Sequence, residues 1–327
     1  MSRRRFVTAI GFGALALPWV ALAQQVSGRT HRVGCLFAAS PTAWRSRTEA
    51  FRAGMRELGY IEGKNLALEF RWADGKYEKL PDLAAELVRL KVHVLVTGGT
   101  PATLAAKKAT TTIPIVMVVT GDAIATGLVA SLARPGANLT GFTFFNPELA
   151  AKRLEILREI LPRARMIAVV TNPDNPIDKP VKQSMDTAAK SLRLELQHHA
   201  VRAPVELDAA FAAMTSRRAD AVAINDDAML IANAKAITDL AARHRLPSIG
   251  FDAIAESGGL LAYGVNFVEL YRRSAVFVDK VLRGAKPADL PVEQATRFEL
   301  LLNLKSAKSL RVPITRDLLT RADRVIE

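Results

Sequence analysis

Residues 92–109, VHVLVTGGTPATLAAKKA, contain one complete strand-loop-helix unit, and this unit decides the fold class. The apolar and β-branched run 92–97 predicts a buried strand. Two glycines then let the backbone turn and approach a ligand, while Thr100 and Pro101 are typical of a helix N-cap and a first helical position. Residues 102–109 predict the helix. The stretch therefore indicates one unit of a parallel α/β sheet.

The same unit recurs on both sides of this stretch. Further strands are predicted at 32–37, 66–72 and 113–120, with helices at 47–58 and 77–90. After residue 141 a second series begins, with strands at 166–171, 194–199, 221–224 and 248–251 and helices at 148–161, 179–192, 205–215 and 228–243. A closing part adds strands at 260–265 and 298–302, a helix at 267–282 and a short helical tail. We expect two doubly wound lobes, several crossings between them, and a ligand cleft at their junction.

The first 23 residues have the pattern of an export signal. A basic start, Ser2 to Val7 with the sequence SRRRFV, precedes an apolar run that ends in Ala21-Leu22-Ala23. The run is shorter than the roughly 20 residues that span a bilayer, and Ala-x-Ala is the usual form of a cleavage site. We expect cleavage after Ala23 and no stable membrane anchor. Adjacent arginines before a phenylalanine favour the twin-arginine route, with the Sec route as the alternative.

Composition excludes several classes of protein. The formal charge of +13 becomes +10 without residues 1–23, which contain Arg3, Arg4 and Arg5 and no acidic residue. The remaining basic residues are spread over helical segments together with acidic ones, so we expect a solvated surface and no nucleic-acid binding. Cys35 is the only cysteine, which rules out an intramolecular disulfide, and its apolar surroundings predict a buried position.

Ligands of doubly wound sheets bind beyond the carboxyl ends of the strands, where loops and helix N-termini gather. The loops predicted there supply the candidate ligand-binding residues, which are Ser40, Trp44, Gly99, Thr100, Thr120, Gly121, Asp122, Asn172, Asp226, Asp227, Phe251 and Tyr263. We expect Ser40 and the Gly99-Thr100 turn to take an anion. Either Asp226 or Asp227 is expected to take an ammonium group, and Trp44 or Phe251 to cover an apolar part. Each residue has the alternative interpretation of a turn, cap or packing position, and the paired aspartates that of metal ligands.

Signatures of catalysis are missing from the sequence. It contains no Gly-x-Ser-x-Gly, no His-Glu-x-x-His, no phosphate-binding Gly-x4-Gly-Lys loop and no Cys-x-x-Cys. The neighbouring His198 and His199 are weak metal candidates, because adjacent residues of a strand point to opposite faces. We therefore expect a binding protein without catalytic residues, cofactor or metal.

Several longer stretches together resemble the tryptophan-binding-like family of ABC transporter substrate-binding proteins. They are residues 51–63, 71–75, 98–102, 131–141, 172–176, 263–264 and 280–297. The resemblance implies the type I periplasmic binding protein fold, an α/β fold whose two doubly wound parallel-sheet lobes are joined by three crossings. The implied lobes are 31–141 plus 266–297 and 142–265 plus 298–327. By loop position, it assigns ligand-facing places to Ser40, Thr100, Thr120, Asn172 and Asp226 or Asp227.

The same resemblance implies a function and partners. The protein is expected to be a monomeric periplasmic component of an ABC importer that captures a small polar or amino-acid-like ligand. The ligand would pass to a membrane permease and its ATPase. The alternative is a sensor module of the same fold that presents its closed state to a membrane receptor.

Overall fold

The computed structural model describes residues 30–327, so the predicted signal peptide lies outside the described residues. Strands and helices alternate in the first part of the chain, in the order β1 (His31–Phe37), α1 (Arg45–Glu57), β2 (Leu66–Trp72), α2 (Leu80–Arg89), β3 (Val94–Gly98), α3 (Thr100–Ala109), β4 (Ile115–Val119) and β5 (Leu139–Thr143). Tyr77–Lys79 forms a 3-10 turn before α2. The alternation continues through α4 (Asn146–Ile160), β6 (Met166–Thr171), α5 (Asp178–Leu192), β7 (Glu195–Ala200), α6 (Leu207–Ser216), β8 (Ala221–Ile224), α7 (Ala228–Ala232), α8 (Ala234–Arg243), β9 (Ser248–Gly250), α9 (Asp252–Glu256) and β10 (Leu261–Val265).

The closing part of the chain visits both sheets. Its elements are α10 (Phe267–Leu282), β11 (Glu293–Gln294), β12 (Phe298–Asn303), α11 (Leu304–Leu310), α12 (Arg316–Arg321) and β13 (Arg324–Ile326). Helix α10 packs on α1 and on β4, and β11 pairs with β5. Strand β12 then pairs with β10. The chain therefore passes three times between the sheets, between β5 and α4, between β10 and α10, and between β11 and β12.

Two mostly parallel sheets confirm the predicted α/β fold class. The first has the strand order β11-β5-β4-β3-β1-β2, and the second has the order β13-β12-β10-β9-β8-β6-β7. All pairs are parallel except β10 with β12. In each sheet the first strand, β1 or β6, has the second strand on one side and the third and later strands on the other. This reversal of strand order is typical of doubly wound folds. We call each sheet with its packed helices a lobe. None of the helices in residues 30–327 combines the length and the hydropathy that a bilayer span requires.

Some elements differ from their predictions. The predicted helix 228–243 is two helices, because the chain leaves helical geometry at Asn233, whose side chain caps the Met229 carbonyl at 2.8 Å. Strand β5 was not predicted, and the predicted lobe boundary at 141/142 falls inside it. A glycine interrupts its apolar run: Gly141 has a φ of +120°, and a Cβ there would collide with the Met117 carbonyl of β4. The short strands β11 and β13 and helix α9 were also missed.

Candidate functional site

A cavity of about 40 Å³ lies between the two lobes, beyond the carboxyl ends of their strands. Its lining comprises Trp44, Arg47, Gly99, Thr100, Pro101, Val119, Gly121 and Phe267 from the first lobe, Phe144 from the first crossing, and Asn146, Asn175, Ile177, Asp226, Asp227, Ala228 and Ile231 from the second lobe. This volume holds a few water molecules and is far below the range of small-molecule sites, about 300–1,000 Å³, so a ligand needs the lobes to move apart. The position and the lining identify the cavity as the candidate ligand site.

Aromatic side chains form the apolar wall of the cavity. Trp44 packs on Phe37 and Tyr271 of the first lobe, with ring centroids 5.4 and 5.7 Å apart. Phe144 and Phe267 meet edge to face at 5.6 Å. Such rings offer a large apolar surface with little conformational freedom to lose, which suits the apolar part of a ligand.

The N-terminus of α3 forms a polar wall on the first lobe. Gly99, with a φ of +93°, occupies the N-cap position, and Thr100 is the first helical residue, one position earlier than predicted. The Thr100 hydroxyl accepts a hydrogen bond from the Gly121 N–H at 3.1 Å. The Gly99 N–H donates to the Val119 carbonyl at 2.7 Å. The first N–H groups of a helix have no intrahelical partner. Because Pro101 has no N–H, the free backbone donors at this helix start are those of Thr100 and Ala102.

Arg47 joins the lobes beside the same wall. Its Nη2 donates to Asp252 Oδ1 of the second lobe at 3.1 Å, and the Arg47 side chain is only 5% exposed. The guanidinium lies over the Phe267 ring at 4.6 Å and near the Trp44 ring at 5.6 Å. Nε and Nη1 have no hydrogen-bond partner among residues 30–327. Arg47 therefore brings unused donors to the cavity in a buried, partly neutralised form.

Asp226 is held by a buried arginine of the second lobe. Arg153 of α4 donates from Nη1 to Asp226 Oδ2 at 2.7 Å and from Nη2 to Oδ1 at 3.1 Å. The Arg153 side chain is 1% exposed and that of Asp226 is 6% exposed. A third bond, from Nε to the Tyr263 carbonyl at 2.8 Å, fixes the guanidinium. A carboxylate has about four acceptor positions, so the paired Asp226 can still accept from a ligand.

Asp227 caps α7 and is surrounded by donors. Its Oδ1 accepts from the N–H groups of Met229 and Leu230 at 3.0 and 3.2 Å, as the predicted helix cap requires. Asn175 Nδ2 and the Tyr77 hydroxyl donate to Oδ2 at 3.0 and 2.5 Å. Burial raises the pKa of the Asp227 carboxyl, and the hydrogen bonds oppose this rise. With its acceptor positions filled, Asp227 has little capacity left for a ligand ammonium.

Two buried polar atoms of the lining have no partner within residues 30–327. They are the indole Nε1 of Trp44, a donor, and Oδ1 of Asn146, an acceptor. Buried polar groups in proteins are nearly always hydrogen-bonded. Because both residues line the cavity, these two atoms are candidates for a bond to a ligand or a water molecule.

Six of the twelve predicted residues line the cavity, namely Trp44, Gly99, Thr100, Gly121, Asp226 and Asp227. Asn172 lies behind the wall and donates to Asp227 Oδ1 at 3.3 Å. The other five do not line it. Ser40 closes a turn onto the Ala43 N–H, Asp122 caps the Ile124 and Ala125 N–H groups, and Thr120 bonds Thr103 in the first lobe. Phe251 is fully buried and lies outside the lining, and Tyr263 packs against Phe298.

Several residues in or beside the site are not among the predicted candidates: Arg47, Asn146 and Asn175 line the cavity, and Arg153 and Tyr77 bond Asp226 and Asp227. Asn146-Pro147 follows the predicted crossing and has the residue types of a helix start, so the sequence could have indicated Asn146 as a loop-end residue near the cleft. The arginines carry no such signal. The metal hypotheses gain no support, since no group of three or more His, Cys, Asp or Glu in the described part of the chain is placed to hold an ion.

Comparisons with known proteins identify the family of the chain. A family model described as ABC transporter substrate binding protein matches residues 35–326. A tyrosine-binding protein of Clostridioides difficile (strain R20291) is 25% identical over 263 residues, which cover 80% of this chain and 75% of that protein.

Two solved structures are similar over 91% of this chain and 100% of their own. A conserved domain protein of Vibrio cholerae O1 biovar El Tor is 26% identical with a TM-score of 0.86. The ABC domain in complex with L-Trp from Streptococcus pneumonia is 25% identical with a TM-score of 0.85. The match of the family model over most of the sequence shows that the chain belongs to the family of ABC transporter substrate-binding proteins.

Proposed function

We propose that this substrate-binding protein captures an amino acid with an aromatic or large apolar side chain in the interlobe cavity. The observation that carries the proposal is the pairing of an aromatic wall with the two unpaired polar atoms, Trp44 Nε1 and Asn146 Oδ1. One is a donor and the other an acceptor, as the carboxylate and ammonium of an amino acid require. The names of the relatives, which mention tyrosine and L-Trp, support the same ligand class.

The carboxylate of the ligand is assigned to the first-lobe wall. The N-terminus of α3 favours negative charge there. The unused N–H groups of Arg47 and the Trp44 indole N–H complete a set of donors around this end. Because Asp252 already neutralises part of the Arg47 charge, the site suits one carboxylate better than a dianion.

The ammonium of the ligand is assigned to the second-lobe side. Asn146 Oδ1 and the free acceptor positions of Asp226 lie there. The Arg153–Asp226 and Arg47–Asp252 pairs are each neutral overall. A zwitterion adds no net charge to the closed cavity, which keeps the electrostatic cost of burial low.

Delivery follows from lobe closure about the three crossings. The ligand contacts both lobes, so its binding energy favours the closed state over the open one. We propose that the permease and ATPase of an ABC importer recognise this closed state and that the protein catalyses no reaction. We further propose that the chain is a monomer exported to the periplasm and cleaved after Ala23.

Calorimetric titration of residues 24–327 tests the ligand class. We expect one site for L-tryptophan, L-tyrosine or L-phenylalanine. Tyramine, which lacks the carboxylate, should bind about tenfold or more weakly, because a hydrogen bond to a charged group is lost. Equal affinities for L-tyrosine and tyramine would overturn the carboxylate assignment, and no binding by any of the twenty amino acids would overturn the ligand class.

A matched pair of variants tests the site. Trp44→Phe keeps an aromatic ring but removes the indole donor, and should weaken binding. Trp72→Phe makes the same change at a first-lobe residue outside the cavity lining, and should not. If both variants bind like the wild type, Trp44 is not a ligand donor.

Export has its own test. N-terminal sequencing of protein recovered from the periplasm should begin at Gln24. Replacing Arg3 and Arg4 with lysine should block export if the twin-arginine route is used and leave it unchanged if the Sec route is used.

A further inference from the structure

We propose that Tyr77 is a closure latch, a first-lobe hydroxyl that holds the two lobes together by bonding the buried carboxylate of Asp227 in the second lobe. Tyr77 is absent from the cavity lining. It is therefore a positioning residue for the closed state and not a ligand contact. The proposal goes beyond the choice of ligand, because it concerns how long the lobes stay closed around any occupant.

The first half of the latch is fixed to the first lobe. Tyr77 begins the 3-10 turn that follows β2. The segment between them is tied to the end of β1, since the Ala73 N–H donates to the Phe37 carbonyl at 2.9 Å and the Gly75 N–H to the Ala38 carbonyl at 2.7 Å. The Tyr77 hydroxyl therefore moves with the first lobe.

The second half is prepared by the second lobe alone. Four of the donors to Asp227 come from that lobe: the two N–H groups of α7 and the side-chain amides of Asn172 and Asn175. The Tyr77 hydroxyl is the donor from the first lobe, at 2.5 Å from Oδ2. Asp227 is 3% exposed and takes part in no ion pair within residues 30–327. Its charge therefore depends on these hydrogen bonds.

The surfaces beside the latch fit only when the lobes are close. Gly75 faces Met229 of α7, and a Cβ built on Gly75 would lie 3.3 Å from the Met229 Cβ. Opening the lobes separates this contact and withdraws one of two donors from Asp227 Oδ2. When the lobes part, water can replace the Tyr77 hydroxyl at Asp227 Oδ2 only if the site opens fully. A partly open form leaves the buried carboxylate short of a donor and is therefore disfavoured.

The second interlobe bond, between Arg47 and Asp252, is less suited to a test because Arg47 also lines the cavity. Tyr77→Phe removes one hydroxyl oxygen and leaves the cavity wall intact. A matched control exists within the first lobe. Tyr60→Phe also deletes a tyrosine hydroxyl that donates to an aspartate, here Asp279 at 2.9 Å, but both partners belong to one lobe.

The experiment measures the interlobe distance in residues 24–327 by fluorescence energy transfer. Dyes are attached at Lys108→Cys in α3 and Lys190→Cys in α5, two exposed positions in different lobes, while Cys35 is buried. Without added ligand, Tyr77→Phe should shift the closed-to-open ratio toward open by about 10- to 100-fold, the range expected for a lost hydrogen bond to a charged group. Tyr60→Phe should leave the ratio within twofold of the wild type. Equal ratios for the two variants would overturn the latch.

A second readout uses L-tyrosine as the probe. The latch predicts faster dissociation from Tyr77→Phe with little change in the ranking of amino acids. If Tyr77→Phe melts well below Tyr60→Phe, the ligand-free distance is measured instead in Asp227→Asn, which removes the charged acceptor. Opening is again expected, and an unchanged ratio rejects the latch. Because the distance measurement needs no ligand, its failure leaves the amino-acid proposal standing, and failure of L-tyrosine to bind leaves the latch standing.

Discussion

The buried pair of Arg153 and Asp226 is predicted to dominate the stability of the second lobe. We consider Arg153→Met, which keeps most of the side-chain length but removes the charge. It deletes two bonds to Asp226, at 2.7 and 3.1 Å, and one each to the carbonyls of Tyr263 and Ile224, at 2.8 and 3.4 Å. With side-chain exposures of 1% and 6%, water has little access to replace them. Breaking a buried pair in this way costs about 3–5 kcal/mol.

Urea unfolding of residues 24–327 measures this loss. Both tryptophans in that range, Trp44 and Trp72, belong to the first lobe, so far-ultraviolet circular dichroism is the suitable signal. The double variant with Asp226→Asn should recover part of the stability, because it removes the unpaired buried charge. Recovery in the double variant separates the loss of the ion pair from a simple packing defect.

Arg321→Met provides the matched control. Arg321 of α12 pairs at 2.7 Å with Glu159 of α4, the helix that also contains Arg153. The Arg321 side chain is 42% exposed. Exposed pairs contribute about 0–1 kcal/mol. If Arg153→Met costs no more than Arg321→Met, the buried pair does not stabilise the lobe and the reasoning is refuted.

Three further predictions concern single positions. Gly98→Ala should cost about 1–3 kcal/mol in urea unfolding, because its Cβ would collide with the Tyr271 hydroxyl and the Trp44 ring; an unchanged unfolding midpoint would contradict this. Burial raises the pKa of Asp227 above the ordinary 3.8. The contribution of this shift to the free energy of unfolding is therefore fully present below pH 3.8 and is lost as pH rises through the raised pKa. The stability of wild type minus that of Asp227→Asn should therefore grow as pH falls from 7 toward 4, and a shrinking difference would be incompatible. Burial also raises the pKa of the Cys35 thiol, so a disulfide reagent at pH 8 should label it only after unfolding, and rapid labelling of the folded protein would argue against its buried position.

Local patterns were sufficient to predict most of the fold. The predicted strands 66–72, 166–171 and 221–224 coincide with β2, β6 and β8. Strands β6 and β8 are compact apolar runs, and β2 alternates apolar residues with Glu69 and Arg71. All three are bounded by turn residues, so no distant partner is needed to recognise them. Strand β5 failed this test, because Gly141 interrupts its run and is explained only by the approach of Met117 from the neighbouring strand.

The candidate site could be predicted only where its chemistry is local. Asp227 was recognised as a possible cap and Gly99 as a turn, since both depend on the next few residues. Arg47 and Arg153 look like ordinary helical charges in sequence. Their roles arise from partners 205 and 73 positions away, which only the fold brings together. A loop aromatic and a buried core aromatic have the same local pattern, so the sequence could not indicate that Phe251 is fully buried and outside the cavity lining.

The fluorescence of Trp44 tests most directly whether the interlobe cavity is the ligand site. In residues 24–327, Trp72→Phe leaves Trp44 as the only tryptophan, and its ring lines the cavity. Titration with L-tyrosine or L-phenylalanine, excited at a wavelength that tyrosine does not absorb, should change the Trp44 emission. The change should saturate at the affinity that calorimetry measures. Calorimetric binding of the same amino acid with no change in Trp44 emission would contradict the account.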